Sequence, residues 1–465
     1  MSNKKNKKHS LKIKIVSWLK RNSVAIALAT WFTGMWSWTL FTDTLDLAGN
    51  KRQGLILAII ILAINVSLSV FVMLKMLALV NRLFKEYNIV ISLLLAWPLF
   101  ALADFLVAWV PAALWIGPQG RLDSILPLST PALLLINTPL AFSSRFIGFF
   151  GLGGFVWFTA YLIWNKRLRK YSLVPLAILV VLSFVGWNIW KQPNGTTIKA
   201  AVVTETFIKK VPAVNDPSLD LVIFPEYGLD DITNNSINDR LVSSSGKPIY
   251  FIGSKQVNPS DKVGHYNRLL FGNTKTGITL EQDKYRLIPG GEDLPYILRT
   301  GLRATNQTST LDYFSSAKGT LKGPKQLQMF DLPNGTRVAS AVCSSIIAPE
   351  DYRNFANKGA TIFTNSASLN IFKGSPLFAW QQKSFAKFMA ISNSRYFLQS
   401  ANSARAYVLD NNGETLVESP GHKVLTQNVV NNNKKTLYTL AGEVLTYIGA
   451  VVLVVMLVKI LRKKK

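Results

Sequence analysis

The chain has 465 residues, 49% of them hydrophobic, with 52 Lys and Arg against 25 Asp and Glu and a formal net charge of +27. Nucleic-acid binders concentrate charge at the expense of long apolar runs, so this combination argues against a nucleic-acid partner and for a membrane. A single cysteine, Cys343, excludes an internal disulfide, and His9, His265 and His422 lie too far apart for ligand spacing, so no metal and no other cofactor is expected.

In chain order, Met1–Arg21 carries Lys4, Lys5, Lys7, Lys8, Lys12, Lys14, Lys20 and Arg21 without an acid. Val24–Phe41, Leu55–Val80, Ile89–Ile116, Phe146–Trp164 and Leu173–Trp190 then approach or exceed the ~20 residues that cross a bilayer core, and Val444–Leu461 is a further candidate. No small-residue cleavage site follows Val24–Phe41, and Trp31, Trp36 and Trp38 suit a retained helix better than a signal peptide. Ile125–Ala141 is apolar but broken by Pro127, Pro131 and Pro139. It reads as re-entrant or interfacial, because such backbone at membrane depth must be buried in protein or line a cavity.

The expected domains are residues 1–190, a membrane domain of about five helices with a possible re-entrant segment at 125–141, then 191–437 and 438–465. The middle segment is a catalytic domain and the last a transmembrane helix with a basic tail. The positive-inside rule puts Met1–Arg21, Lys166–Lys170 and Arg462–Lys465 in the cytoplasm and the middle domain outside. A full crossing by 125–141 would reverse that placement. Oligomeric state is not legible.

Between Thr197 and Asn431 short β-branched strands replace the spanning segments: Ile198–Thr204, Leu221–Phe224, Pro248–Gly253, Arg268–Phe271, Val338–Val342, Ala360–Asn365, Arg395–Ala401 and Ala406–Leu409. Asn411-Asn412-Gly413 marks a turn. Helical periodicity is clearest in Phe378–Ser392, and Tyr296–Gly323, rich in Gly, Ser and Thr, reads as a long loop. Alternating strands and helices indicate an α/β fold.

Three apolar runs end on chemistry: Leu221–Pro225 delivers Glu226, Asp283–Pro289 carries Lys284, and Arg337–Val342 ends at Cys343. A carboxylate, an ammonium and a thiol so placed suggest an acyl-transferring thiol enzyme. Each has a plainer reading alone: Cys343 as a buried hydrophobe, Glu226 as a helix cap, Lys284 as a solvated charge. Phe372, Phe378 and Trp380 read equally as core or as an apolar lip that meets acyl chains.

Taken together these residues resemble the carbon–nitrogen hydrolase (nitrilase) superfamily and, within it, the membrane-embedded apolipoprotein N-acyltransferases. Phe224-Pro225-Glu226 is similar to the motif bearing the general base, Lys284-Tyr285-Arg286-Leu287-Ile288-Pro289-Gly290-Gly291-Glu292 to the lysine loop K-x-x-L-V-P-F-G-E, and Val342-Cys343 to the nucleophile strand. Ala348-Pro349-Glu350 with Arg353, Gly359-Ala360 with Asn365, Ser375-Pro376, Asn393 with Arg395, and Ala401-Asn402-Ser403 follow in the family's order. Two places depart. Cys343-Ser344-Ser345 stands where the family has Cys-Tyr-Glu or Cys-Trp-Glu, and Val203-Thr204-Glu205-Thr206 where it has V-Q-x-N.

The resemblance implies an α-helical membrane domain plus an α/β nitrilase-like domain, an α-β-β-α sandwich. It also implies a catalytic triad of Glu226, Lys284 and Cys343, supported by Glu292 and by the Ser344 backbone N–H at the oxyanion. The implied partners are a phospholipid acyl donor and a diacylglyceryl-modified apolipoprotein acceptor, in a bacterial-type inner membrane with the catalytic domain on the extracytoplasmic face. Alternatives are a membrane-tethered hydrolase that uses water, and a non-catalytic scaffold, for which Ser344-Ser345 is the main argument.

Overall fold

The computed structural model describes residues 22–42, 51–205, 213–230, 241, 247–316, 319–325, 328–372, 374–421 and 423–462. The basic cluster Met1–Arg21, His422 and the last three lysines lie outside the described residues. Among the described residues six helices are long and apolar enough to cross a membrane. They are α1 (Asn22–Phe41), α2 (Lys51–Glu86), α3 (Ile89–Leu114), α4 (Ser144–Trp164), α5 (Leu173–Trp190) and, after the α/β domain, a C-terminal helix Val444–Arg462. Central α3 packs against α2, α4 and the C-terminal helix. A Cβ on Gly449 would run into the Pro98 carbonyl, so a small residue is what lets those two backbones touch.

The proline-rich stretch 125–141 forms a 3-10 turn at Pro127–Ser129, a four-residue helix at Ala132–Leu135 and the start of a second 3-10 turn at Pro139–Ser143. Each turn begins where a proline has no N–H to give, and Leu128, Ala132, Leu133 and Ile136 are buried beneath the α/β domain. Gly148, at φ +73°, breaks α4 near its start, and Glu443 accepts from the freed N–H groups of Phe149 (2.9 Å) and Phe150 (3.1 Å).

The α/β domain is built on strands β1 (Thr197–Glu205), β2 (Leu221–Ile223), β3 (Tyr250–Val257), β4 (Tyr266–Asn273), β5 (Gly277–Asp283), β6 (Met329–Asp331), β7 (Arg337–Val342), β8 (Ile362–Ser368) and β9 (Tyr396–Asn402). Their spatial order is β5-β4-β3-β2-β1-β9-β8-β7-β6, with β10 (Ala406–Leu409) beside β9, β11 (Thr415–Ser419) beside β10 and β12 (Lys423–Val430) beside β1. The two-residue period of a strand explains the layers. Ala200, Val202, Ile223 and Ile252 point inward against Val338, Val342, Ile362 and Leu398, so the two halves of the sheet face each other. Ala201, Val203, Val222 and Phe224 point outward onto Val214, Leu219, Leu229 and Leu241. On the other side Ala339, Ala341, Phe363 and Phe397 meet the helices Pro349–Asn357 and Pro376–Asn393, which bury their far side against the membrane helices.

All eight expected strands are present, and the helix expected over Phe378–Ser392 runs from Pro376 to Asn393. The loop reading of Tyr296–Gly323 is corrected: it holds helices at Tyr296–Ala304 and Thr308–Ser315. Its Gly, Ser and Thr content masked a helical face in which Leu298, Gly301, Leu302 and Thr305 look into one cavity.

Arg145, fully buried at the start of α4, ties the two parts together. Its guanidinium donates to the carbonyls of Ile391, Gly186 and Asn411, each at 2.9 Å, and to Asn412 Oδ1 at 3.1 Å. Arg145→Met strips these buried acceptors of their donor and is expected to cost on the order of 3 kcal/mol. Thermal unfolding in detergent measures it; an unchanged Tm would show that the latch carries no stability.

Candidate functional site

Phe224 N–H donates to the Ile252 carbonyl at 2.7 Å, and Pro225, having no N–H, ends that pairing. Tyr227 then takes φ +63° and anchors its N–H on Ser254 Oγ at 3.1 Å, which leaves Glu226 facing the open end of the sheet. Cys343 follows β7 directly and opens a 3-10 turn, Cys343–Ile347, with φ +47°. That left-handed conformation is unfavourable for a residue with a Cβ and holds the thiol out of the strand direction. Lys284 follows β5, its N–H donating to the Asn267 carbonyl at 2.8 Å.

These turns bring the three residues together. Lys284 Nζ lies 2.8 Å from Glu292 Oε1 and 3.4 Å from Glu226 Oε1, with 1% of its side chain exposed. Glu292 also accepts from the Ile288 N–H at 2.9 Å, so one carboxylate shapes the loop and holds the ammonium. The Cys343 thiol donates to the Ser368 carbonyl at 3.3 Å, and Cys343 and Glu226 line one cavity. Ser344 stands in the turn after the thiol and donates through Oγ to the Arg286 carbonyl at 2.8 Å. Ser345 is buried, and the carboxylate nearest Lys284 is that of Glu292.

Burial raises the pKa of Glu226; Lys284 opposes the shift and Glu292 adds to it. Burial also pushes the Cys343 thiol well up, and the neighbouring Glu226 charge pushes the same way, so the resting sulfur is a neutral thiol. Burial alone would pull Lys284 down, but Glu292 and Glu226 more than reverse it and the ammonium stays charged. A carboxylate beside a neutral thiol, with a fixed cation next to both, suits general-base delivery of a sulfur nucleophile to a carbonyl.

Several participants were not visible in the sequence. Asn267 donates to Glu226 Oε1 at 2.5 Å and fixes the carboxylate from β4. Arg286, in the lysine loop, is clamped by both oxygens of Asp351 and reaches the Asp123 carbonyl at 3.4 Å, so the loop between membrane helices braces it. A buried Asn in a strand is a signal only once burial is known.

Cys343 lies on two cavities. One, of about 610 Å³, is largely apolar and runs between α1, α2 and the helix Tyr296–Ala304, past Trp36, Trp38, Leu57, Ile61, Phe372 and Phe378. Phe372 and Phe378 thus join the lip, whereas Trp380 packs into the core beside it. The other, of about 650 Å³, holds Glu226 and Glu292 and has a more polar wall. Among the described residues no His, Cys, Asp and Glu group is arranged to hold a metal ion.

No protein-family model matches the chain. It is similar to an apolipoprotein N-acyltransferase of Vibrio parahaemolyticus, 22% identical over 377 residues, covering 73% of this chain and 69% of that one. It is also similar to one of Nostoc sp., 21% identical over 336 residues, covering 66% of this chain and 63% of that one. Among solved structures it aligns with Saccharomyces cerevisiae Nit3, of the nitrilase superfamily, at 14% identity and a TM-score of 0.35, over 51% of this chain and 91% of that one. An amidase from Nesterenkonia sp. aligns at 12% identity and a TM-score of 0.34, over 52% and 93%. The chain resembles the apolipoprotein N-acyltransferases, and it combines a helical membrane domain with an α/β domain. It is a multi-pass membrane protein.

Proposed function

We propose that this protein transfers a fatty acyl chain from a phospholipid, through a thioester on Cys343, to the N-terminal amine of a diacylglyceryl-cysteine on an apolipoprotein. The observation that carries the reading is a Glu–Lys–Cys cluster whose thiol lines an apolar cavity walled by membrane helices. A soluble amide substrate has no use for such a wall, whereas an acyl chain does.

In the first half-reaction Glu226 takes the thiol proton as Sγ attacks the ester carbonyl. Lys284 Nζ and the Ser344 backbone N–H hold the tetrahedral oxyanion. Collapse breaks the ester C–O bond, and Glu226 returns the proton to the departing glycerol oxygen, releasing a lysophospholipid. In the second, the neutral acceptor amine attacks the thioester carbonyl and gives a proton to Glu226. The C–S bond breaks, the thiolate takes that proton, and an amide leaves.

The test is mass spectrometry of the purified protein with phospholipid and then with a diacylated lipopeptide. A Cys343-linked acyl adduct that passes to the peptide supports the reading; loss of the adduct to water alone would make the protein a hydrolase, and no adduct would remove the mechanism. Glu292→Gln keeps the size and the bond to Ile288 N–H but discharges the partner of Lys284, and is expected to slow adduct formation by at least about tenfold. A variant as fast as the wild type would assign the holding of Lys284 elsewhere.

The same reading places the α/β domain on the outer face of a bacterial-type inner membrane, opposite Lys166–Lys170. Reporter fusions at Arg169 and Asn411 are expected on opposite sides, the first in the cytoplasm. Both reporting the same side would overturn that placement.

A further inference from the structure

The proline-rich turn after Ile125 walls the apolar cavity but does little to hold itself in place. Ile125, Leu126 and Leu128 line that cavity. Pro127 and Pro131 have no N–H to give, and the bond that closes the turn, from the Thr130 N–H to the Pro127 carbonyl, is long at 3.4 Å. Irregular backbone at this depth has to be satisfied by the protein around it.

Two side chains supply that support from opposite sides. Asp104, 1% exposed on α3, accepts from Thr130 Oγ1 through Oδ2 and from Trp157 Nε1 of α4 through Oδ1 at 2.9 Å. Gln381, fully buried on the helix Pro376–Asn393, donates through Nε2 to the Leu128 carbonyl at 2.7 Å and to the Met35 carbonyl of α1 at 3.0 Å. Met35 precedes Trp36, another wall residue, so Gln381 fixes two pieces of the wall against the domain that carries Cys343.

A carboxyl inside a membrane helix is costly, and an apolar side chain would fill the space as well. The neighbouring helix is nevertheless shaped to it: a Cβ on Gly153 of α4 would fall 1.9 Å from Asp104 Oδ2 and 2.7 Å from Thr130 Oγ1. Neither Asp104 nor Gln381 lines the cavities at Cys343. Their loss therefore leaves the reacting groups in place and shifts Leu126 and Leu128, because a close-packed interior passes such a displacement on.

Resting on the acyltransferase reading above, we propose that Asp104 and Gln381 are positioning residues for acyl-chain recognition. They pin the turn Leu126–Thr130 from the membrane side and from the domain side, and so set the wall that selects a long-chain donor.

The experiment uses full-length protein in detergent and follows the Cys343 adduct by intact mass, with dipalmitoyl- or dihexanoyl-phosphatidylethanolamine as donor. The two share a head group and differ in the chain that meets the wall. The wild type is expected to favour the long chain. Asp104→Leu and Gln381→Met are each expected to lower that preference, the ratio of the two adduct-formation rate constants, by about tenfold, with the dihexanoyl rate within a few-fold of wild type. Gly153→Ala, a better helix former than the residue it replaces, is expected to lower the ratio too by crowding the contact, and it stands in for Asp104→Leu should that variant not fold. Asp104→Asn, whose oxygen can accept from Trp157 and whose amide can donate to Thr130 Oγ1, is expected to keep the preference. A ratio unchanged in any of the first three variants that folds overturns the proposal, and both donors slowing alike counts the same way. A ratio that falls as far in Asp104→Asn as in Asp104→Leu overturns the role given to the bonds of Asp104. A wild type that forms no adduct with either donor defeats the acyltransferase reading itself, and one that forms the adduct without distinguishing the chains defeats this inference alone.

Discussion

Cys343→Ala is expected to abolish the covalent acyl adduct, and Glu226→Gln to slow its formation by about 10²–10⁴-fold, the range of a lost general base. The second figure follows from the state of the sulfur. A cysteine held as a thiolate by neighbouring cations keeps most of its reactivity when a nearby carboxylate is removed. Cys343 is the reverse case: burial and the adjacent Glu226 charge both favour the neutral thiol, so a base has to take the proton as the C–S bond forms. Rapid-quench intact-mass measurement of the adduct checks both variants, with thermal unfolding to confirm that each is folded. An adduct persisting in Cys343→Ala would remove the nucleophile. A Glu226→Gln protein within a few-fold of wild type would mean that the thiol loses its proton elsewhere, and Glu226 would fall back to a buried acid held by Asn267.

The sequence could show where strands end on chemistry, because a buried strand is a continuous apolar run and a residue breaking it is conspicuous. Glu226 after Leu221–Phe224 and Cys343 after Val338–Val342 were legible in that way, and the structure brings them together with Lys284. The strands that escaped are those with weak burial. Gly277–Asp283 and Thr415–Ser419 are half exposed along much of their length, and Met329–Asp331 is three residues long, so none produces a clear period. Lys423–Val430 was hidden for the same reason, although it pairs with β1 over eight residues. Of the apolar cavity only Phe372 and Phe378 were legible, as one of two readings. Trp36, Ile61, Leu298 and Ile347 share it from distant parts of the chain, and each reads locally as ordinary membrane or core residue. Asn267 escaped because its one informative property, a polar side chain buried against Glu226, is a tertiary fact.

Lys284→Met is expected to lower the rate of adduct formation by about 10²–10³-fold, the cost of one oxyanion donor, and to change how rate and stability depend on pH. The lysine sits between two carboxylates, 2.8 Å from Glu292 and 3.4 Å from Glu226, with almost no exposure. Breaking such a buried pair costs about 3–5 kcal/mol, because the remaining charge has no counterpart. Glu226 already has a raised pKa, from burial first and Glu292 in addition, and Lys284 is what opposes the rise. Without it the pKa climbs further. Glu226 works as a base only when ionised, so the acid limb of the pH–rate profile moves to higher pH and part of the lost rate returns as pH increases. Stability moves the other way. A carboxylate whose folded pKa lies above its unfolded value penalises the native state at high pH, and the penalty shrinks as pH falls through the folded pKa. The variant is therefore expected to be fastest where it is least stable. Rate and Tm measured across the same pH series decide it: an acid limb in the wild-type position would show that Lys284 does not set the protonation of Glu226, and the lysine would then be a structural counterion alone.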